Sequence, residues 1–330
     1  MKKLVLLLVV ALLALTSCSS TGADNSAKKY SVGSYSITSP IADRNLVNGE
    51  KVQMNTTMAT VIVADEKIVN VNIDTAQTEV KIDDAGKVTV PAETPTKKEK
   101  KDAYGMKKAS EIGKEWYEQI EAIEEALIGK TLEEVNNFEL TETGHAADAD
   151  LVSSVSISIN GFLEVVAKAM EVAKEVEGAV AKVGSSVITA VEDRAVAEDK
   201  NGRVTFNTNY GHVVLDADGK VLQAFVDHNQ NRIEYNATGE WQEFKALDSK
   251  KILKEAYNMK GNSGIDKEWY EQAEALEEWM VGQTIEEINA AEKDETGHLT
   301  DADLTSSVTI SVNDYQAVVT KAAENAVDVK

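Results

Sequence analysis

Lys114-Glu115-Trp116-Tyr117-Glu118-Gln119 returns as Lys267-Glu268-Trp269-Tyr270-Glu271-Gln272, 153 positions later. The same interval carries Asp74 to Asp227, Tyr104 to Tyr257, Met106 to Met259, and Glu142-Thr143-Gly144-His145 to Glu295-Thr296-Gly297-His298. An ungapped alignment is expected from about Asn55 to the C-terminus. Val32-Gly33-Ser34 matches Val183-Gly184-Ser185 at 151 positions, so a small insertion lies between. A period near 150 residues is too long for a solenoid unit and suits a duplicated domain. The expected repeats are residues 30–176 and 177–330 of the 330-residue chain.

Each repeat reads as strands followed by helices, an α+β arrangement in two copies. Thr60 to Val63 and Ile68 to Ile73 flank Asp65-Glu66-Lys67, and Val213 to Leu215 and Val221 to Val226 flank Asp216-Ala217-Asp218-Gly219. Both are hairpin patterns. A further short strand is expected to end at Asp84-Ala85-Gly86, matched by Ala237-Thr238-Gly239. Trp116, Ile120, Ile123 and Leu127 recur at helical spacing, and Gly129 and Gly282 stand where such helices end. Thr131-Leu132-Glu133-Glu134 and Thr284-Ile285-Glu286-Glu287 are capping boxes. Val155, Ile157 and Ile159 alternate with serines, which predicts a strand with one apolar and one hydroxyl face. That alternation places Ser156 and Thr309 on the accessible face. Phe162, Val165, Val166 and Ala169, with Tyr315, Val318, Val319 and Ala322, mark a last helix in each repeat. Each repeat holds the full set of elements and is expected to fold alone.

The N-terminus reads as an export signal. Lys2 and Lys3 precede an apolar run from Leu4 to Leu15, too short for a permanent span, that ends in Leu15-Thr16-Ser17-Cys18. Small residues before the one cysteine of the chain form a lipoprotein pattern, with residues 1–17 removed and Cys18 lipidated. The competing reading is an ordinary secretory signal with an incidental cysteine. Residues 18–29 are small and polar and suit a tether.

Composition narrows the function. The net charge of −22 repels phosphate backbones, which argues against nucleic-acid binding. A hydrophobic fraction of 43% is enough for packed cores. One cysteine and four scattered histidines give little basis for a metal site. Nucleophile-elbow, phosphate-loop and dinucleotide fingerprints are absent from the sequence. A self-sufficient dehydrogenase or hydrolase is therefore disfavoured.

The two copies agree best over residues 141–159 and 294–312, where thirteen of nineteen positions are identical. Core packing accounts for Val155 and Ile157 but not for the retention of Asp148, Asp150, Ser153, Ser154 and Ser158. Asp150-Leu151-Val152-Ser153-Ser154-Val155-Ser156 and Asp303-Leu304-Thr305-Ser306-Ser307-Val308-Thr309 resemble the flavinylation motif of FMN-binding domains. That motif is Asp-x-x-(Ser/Thr)-Gly-Ala-(Thr/Ser). The domain is similar to that of the C subunit of sodium-pumping NADH:quinone reductase, and the tandem arrangement to flavinylated extracellular electron-transfer lipoproteins of Gram-positive bacteria. The resemblance implies covalent FMN, through a phosphoester, on Ser156 and Thr309. It implies that Asp150, Ser153, Asp303 and Ser306 help a dedicated transferase, using FAD and Mg²⁺, to recognise the site. It further implies anchorage on the outer face of the cell membrane, a quinol- or NADH-oxidising membrane donor, and extracellular electron acceptors. The motif's Gly and Ala are Ser154 and Val155 in one copy and Ser307 and Val308 in the other. The rival reading is a non-flavinylated surface lipoprotein that binds a solute or acts in adhesion.

Several further residues admit two readings. Trp116, Tyr117, Trp269 and Tyr270 stack on a flavin ring or belong to the core. His145 and His298 contact the ring edge or phosphate, or hold a loop by a hydrogen bond. Lys97, Lys98, Lys100 and Lys101 read by default as solvated surface.

Overall fold

The apolar residues of the long strands fall on both faces, so each sheet must be covered twice. The computed structural model describes residues 28–40, 51–82, 88–198, 200–238, 242 and 247–329. The export signal, Cys18, most of the tether, and the turns at Asp84-Ala85-Gly86 and Gly239 lie outside them.

In the N-terminal half, β1 (Ser31–Pro40), β2 (Lys51–Ala64), β3 (Lys67–Ile82) and β4 (Val88–Thr89) precede the helices. These are α1 (Lys97–Lys100), α2 (Trp116–Leu127), α3 (Leu132–Asn136), α4 (Ala149–Val152) and α5 (Asn160–Glu171), after which β5 (Lys174–Glu175) returns to β1. The C-terminal half has β6 (Lys182–Arg194), β7 (Gly202–Leu215) and β8 (Val221–Tyr235). It continues with α6 (Lys250–Leu253), α7 (Trp269–Met280), α8 (Ile285–Ala290), α9 (Ala302–Thr305) and α10 (Asn313–Glu324), and ends in β9 (Val327–Asp328). The chain is therefore α+β. The described strands form two antiparallel sheets, β4-β3-β2-β1-β5 and β8-β7-β6-β9.

One face of each sheet packs on its own helices. Ala59, Val61, Val71 and Ile73 meet Trp116, Ile120, Val165 and Val166. Val213, Ala224 and Val226 meet Trp269, Leu276, Val318 and Val319. The alternate strand residues point the other way, as a period of two requires. Met58, Ala76, Val187 and Tyr210 pack together between the sheets, as do Val52, Met54, Val204, Phe206 and Ile233. The order of layers is helices, sheet, sheet, helices. Polar groups cross the inter-sheet seam: Ser34 Oγ lies 2.7 Å from His212 Nδ1, and Ser36 Oγ donates to Asn229 Oδ1 at 2.7 Å.

Strand register corrects the alignment. Ser34 pairs with Thr60 and Ser185 with His212, so Thr60 and His212 hold matching places, one position short of the 153-residue interval. Val61 faces Val71 and Val213 faces Ala224, which restores 153 from the third strand onward. The extra residue sits in the turn between β7 and β8, where Asp216 Oδ1 accepts from Asp218 N and Lys220 N and Gly219 takes a positive φ. The shorter turn in the N-terminal half instead puts Asp65 and Glu66 at positive φ, the two-residue geometry that twists with its strands.

The expected strand over Val155–Ile159 does not form, nor does its counterpart. Val155 N bonds to Leu151 O at 2.8 Å, Ser156 N to the side chain of Gln119 at 2.8 Å, and Ile159 N to Gly144 O at 2.7 Å. These donors go to three different elements, so no ladder builds. The alternating pattern instead buries Val155 and Ile159 under a loop. Among the described residues no helix is long and apolar enough to cross a membrane.

Candidate functional site

Five residues of the repeated Lys-Glu-Trp-Tyr-Glu-Gln stretch, all but the lysine, have a separate side-chain task at the start of α2 or α7. Glu115 and Glu268 are N-caps whose carboxylates accept from the preceding loop, Met106 N and Lys107 N in one half and Met259 N and Lys260 N in the other, at 2.8–3.1 Å. Glu118 and Glu271 close the capping boxes by accepting from Glu115 N and Glu268 N, each at 2.7 Å. Trp116 and Trp269 are both 2% exposed and sit in the cores. Their core reading holds. Tyr117 and Tyr270 turn outward, their hydroxyls donating to Asp102 and Glu255.

Gln119 and Gln272, fully buried, reach the motif. Gln119 Oε1 accepts from Ser156 N at 2.8 Å and from Ser156 Oγ at 3.4 Å, while its Nε2 donates to Ser110 Oγ and Lys114 O. Gln272 Oε1 accepts from Thr309 N at 2.8 Å and from Thr309 Oγ1 at 3.2 Å, and its Nε2 donates to Lys267 O. One buried amide in each half thus clasps the motif loop to the loop before the helix. Sequence reasoning passed over both glutamines, although they close the very stretch that revealed the repeat.

Ser156 and Thr309 are half-buried, not opposite the buried face as the alternation implied. A phosphoester requires a hydroxyl whose proton has an acceptor and whose oxygen can approach phosphorus. Thr309 Oγ1 lies 2.9 Å from Ser263 O and 3.2 Å from Gln272 Oε1, two acceptors that share its one proton. Among the described residues, Ser156 Oγ has a 3.4 Å contact to Gln119 Oε1 and a 3.5 Å contact to Ser110 Oγ. Each hydroxyl has an acceptor within reach, the contact of Thr309 being the shorter.

The other motif residues separate. Asp148 caps α4, its carboxylate accepting from Asp150 N and Leu151 N at 3.0 Å each. Ser153 Oγ donates to Asp150 O at 2.8 Å, and Ser158 Oγ to Gly144 O and Asn160 Oδ1. Asp150 is exposed. Asp303 lies within α9, and Ser306 follows that helix at an exposed position. His145 Nδ1 lies 2.9 Å from Thr143 Oγ1, and His298 Nδ1 2.7 Å from Thr296 Oγ1, so both hold their own loops. Asp294, which accepts from His298 N and Thr296, is held well below the usual carboxylate range by those bonds.

The lysine run is not uniformly solvated surface. Lys97 Nζ lies 5.1 Å and 5.3 Å from the ring centres of Tyr104 and Trp116, and Lys250 Nζ 4.7 Å and 5.3 Å from those of Tyr257 and Trp269. Burial lowers both amines to about 8, with help at Lys97 from Lys100. The aromatic rings recover part of the lost hydration, which is why a lysine survives there. Lys98 and Lys251 form ion pairs of 2.5 Å with Glu124 and Glu277. Lys97 also lines a depression of about 240 Å³ with Thr57, Thr75, Ser158, Asn160 and Phe162, beside the end of the first motif loop. Glu164 lines it as well, so the depression holds one lysine and one carboxylate among the described residues.

No protein-family model matches the chain, and no solved structure matches it. A chlorophenol reductase of Desulfitobacterium hafniense is 54% identical over 43 residues, which is 13% of this chain and 13% of that protein. A match of that extent shows no family.

Proposed function

We propose that the chain is an exported electron carrier built from a duplicated FMN-binding-type domain, with FMN in phosphoester linkage on Ser156 and Thr309. The single observation that carries the reading is the clasp. In both halves the hydroxyl at the last motif position stands on an irregular loop pinned through its own N–H by a buried glutamine, at 2.8 Å in each case. A modification site needs such a hydroxyl, held in place yet reachable by a second enzyme. A plain surface strand would need no buried amide behind it.

When bound, FMN supplies the redox chemistry, and the protein positions it. Gln119 and Gln272 hold the attachment loops, and Lys97 offers a cation beside the first. Asp150, Ser153, Asp303 and Ser306 present the motif to an FAD-dependent transferase. With Cys18 lipidated, the carrier stands on the outer face of the membrane, between a quinol- or NADH-oxidising donor and extracellular acceptors. The chlorophenol reductase match is too short to bring a halogenated substrate into this reading.

Coexpression with an FMN transferase tests it. The denatured chain should gain two FMN increments in intact mass, one in Ser156→Ala or Thr309→Ala and none in the double variant. An unmodified wild-type chain would overturn the reading in favour of a plain binding lipoprotein.

A further inference from the structure

The depression beside Lys97 has a counterpart in the C-terminal half, and there the same place is filled. His228 stands for Thr75, Tyr315 for Phe162 and Asn209 for Thr57. The His228 ring meets Trp269 edge-on, with centres 6.4 Å apart. Its Nδ1 lies 3.5 Å from Tyr315 Oη, which accepts from Trp269 Nε1 at 3.1 Å. His228, Tyr315 and Lys250 are each 6% exposed. In the N-terminal half a threonine takes the histidine's place, and about 240 Å³ stays open.

The charged groups of the open depression are reachable. Lys97 is half-buried, and Glu164, Ser158, Asn160 and Gly161 are exposed. Lys97 Nζ rests on the rings of Tyr104 and Trp116. A ring face takes up part of the charge but is no oxygen acceptor for three N–H donors. Among the described residues neither Lys97 nor Glu164 has an ion-pair partner within 4.0 Å. Their neighbours do: Lys98 pairs with Glu124, and Lys168, one turn beyond Glu164, pairs with Glu171. Burial, with help from Lys100, lowers the Lys97 amine to about 8, so it is mostly protonated at pH 7. The filled half has no such arrangement. Ala317 replaces Glu164, and Asp314 replaces Gly161 and acts on Lys250 through its charge, as does Asp227.

One cation and one carboxylate that line the same depression without pairing complement a ligand that carries both charges. A simple anion on Lys97 would face the repulsion of Glu164, and a simple cation on Glu164 that of Lys97. The space is smaller than the roughly 300–1,000 Å³ of drug-sized sites, so the ligand is small. Thr57, Asn55 and Ser158 add hydroxyl and amide groups to the walls, which suits a short polar side chain.

We infer that the depression between the start of α5 and the strands β1, β2 and β3 binds a small zwitterion, an α-amino acid with a short polar side chain, its carboxylate toward Lys97 and its ammonium toward Glu164. The inference goes beyond the flavin reading and does not rest on it. Intact mass tests the flavin, whereas this site is tested on the chain without it.

The test is isothermal titration of the full, unflavinylated chain with L-serine. Saturable binding at one site per chain is expected. Lactate, which lacks the ammonium, and ethanolamine, which lacks the carboxylate, should each bind about tenfold or more weaker. Glu164→Gln, at an exposed position, should weaken L-serine by about tenfold or more and leave lactate no weaker, with circular dichroism unchanged. Gly161→Asp copies Asp314 of the filled half. A side chain there meets no neighbour within 4 Å. The added carboxylate competes for Lys97 and should also weaken L-serine. Absence of saturable L-serine binding to the wild-type chain overturns the inference, as does lactate or ethanolamine binding as tightly as L-serine. Wild-type affinity for L-serine in folded Glu164→Gln overturns it as well. If that variant does not fold, Gly161→Asp decides, and an unchanged affinity overturns the inference.

Discussion

Gln119 and Gln272 show how one side chain can set the accessibility of another. Each is wholly buried and spends its amide on two loops. Gln119→Ala removes the acceptor for Ser156 N and should cost about 1–3 kcal/mol, the range for stranding a buried donor. Chemical denaturation reads that cost, and flavin yield at Ser156 should fall while Thr309 stays loaded. Gln272→Ala should do the reverse, which separates a local effect from general unfolding. His212 governs a second property. It is 1% exposed and pushed from the ordinary 6.5 down to about 3 by burial. Below pH 6.5 the unfolded chain takes up a proton there that the folded chain refuses. The stabilisation is whole above pH 6.5 and is lost as pH falls toward 3. Glu124 and Glu277, raised by burial, act in the opposite sense, because the folded chain protonates them first. Comparison with His212→Asn isolates the histidine. Over pH 4–6 the wild-type chain should lose up to about 1.4 kcal/mol per pH unit more than the variant, as judged by denaturant midpoints. Equal slopes would contradict a neutral buried His212.

Gly33 and Gly184 decide how closely the last helix of each half can lie on its sheet. A Cβ on Gly33 would overlap Ala169 O, and one on Gly184 would overlap Ala322 O, both backbone atoms that cannot rotate away. Gly33→Ala and Gly184→Ala should each cost about 3 kcal/mol or more, a core-overpacking effect that a thermal melt detects. Retention of the wild-type melting temperature would mean that α5 and α10 shift freely. Much at this scale was legible in the sequence. The capping boxes at Thr131 and Thr284 form as read, and Gly129 and Gly282 follow the caps Ile128 and Val281 at positive φ. Helix periodicity located α2, α5, α7 and α10 because a single stripe must face the sheet. The motif segment was misread because alternation was its only signal. Val155 and Ile159 are buried as in a strand, but a side chain, not a neighbouring strand, satisfies Ser156 N. The first strand of each half was visible only as Val-Gly-Ser. Ser34, Ser36, Ser185 and Thr189 face the opposite sheet, and polarity disguised them as loop.

The mutual burial of the two sheets changes what each half can do by itself. A complete set of strands and helices was reason to expect independent folding, yet one face of each sheet is finished only by the other half. Val187, Phe206, Tyr210, Val214 and Ile233 are each no more than 2% exposed, and all pack between the sheets. Separation would expose them together with His212 and Asn229, whose bonds to Ser34 and Ser36 would be lost. Apolar surface of that extent is a recognised driver of association, at about 25 cal/mol per Å² removed from water. A chain beginning at Glu177 should therefore dimerise through the faces of β6, β7 and β8, its self-association rising with concentration in sedimentation equilibrium. Tyr210→Lys, placed in the centre of that face, should return the fragment to a monomer that melts well below the full chain. A fragment that is monomeric without this change, and as stable as the full chain, would mean that the seam between the sheets contributes little. In that event the two halves would be independently stable bodies. The dimer would instead mean that the halves fold as one body, with any groups on Ser156 and Thr309 held at a fixed separation, and electron transfer between them would then be set by that distance and not by the reach of a linker.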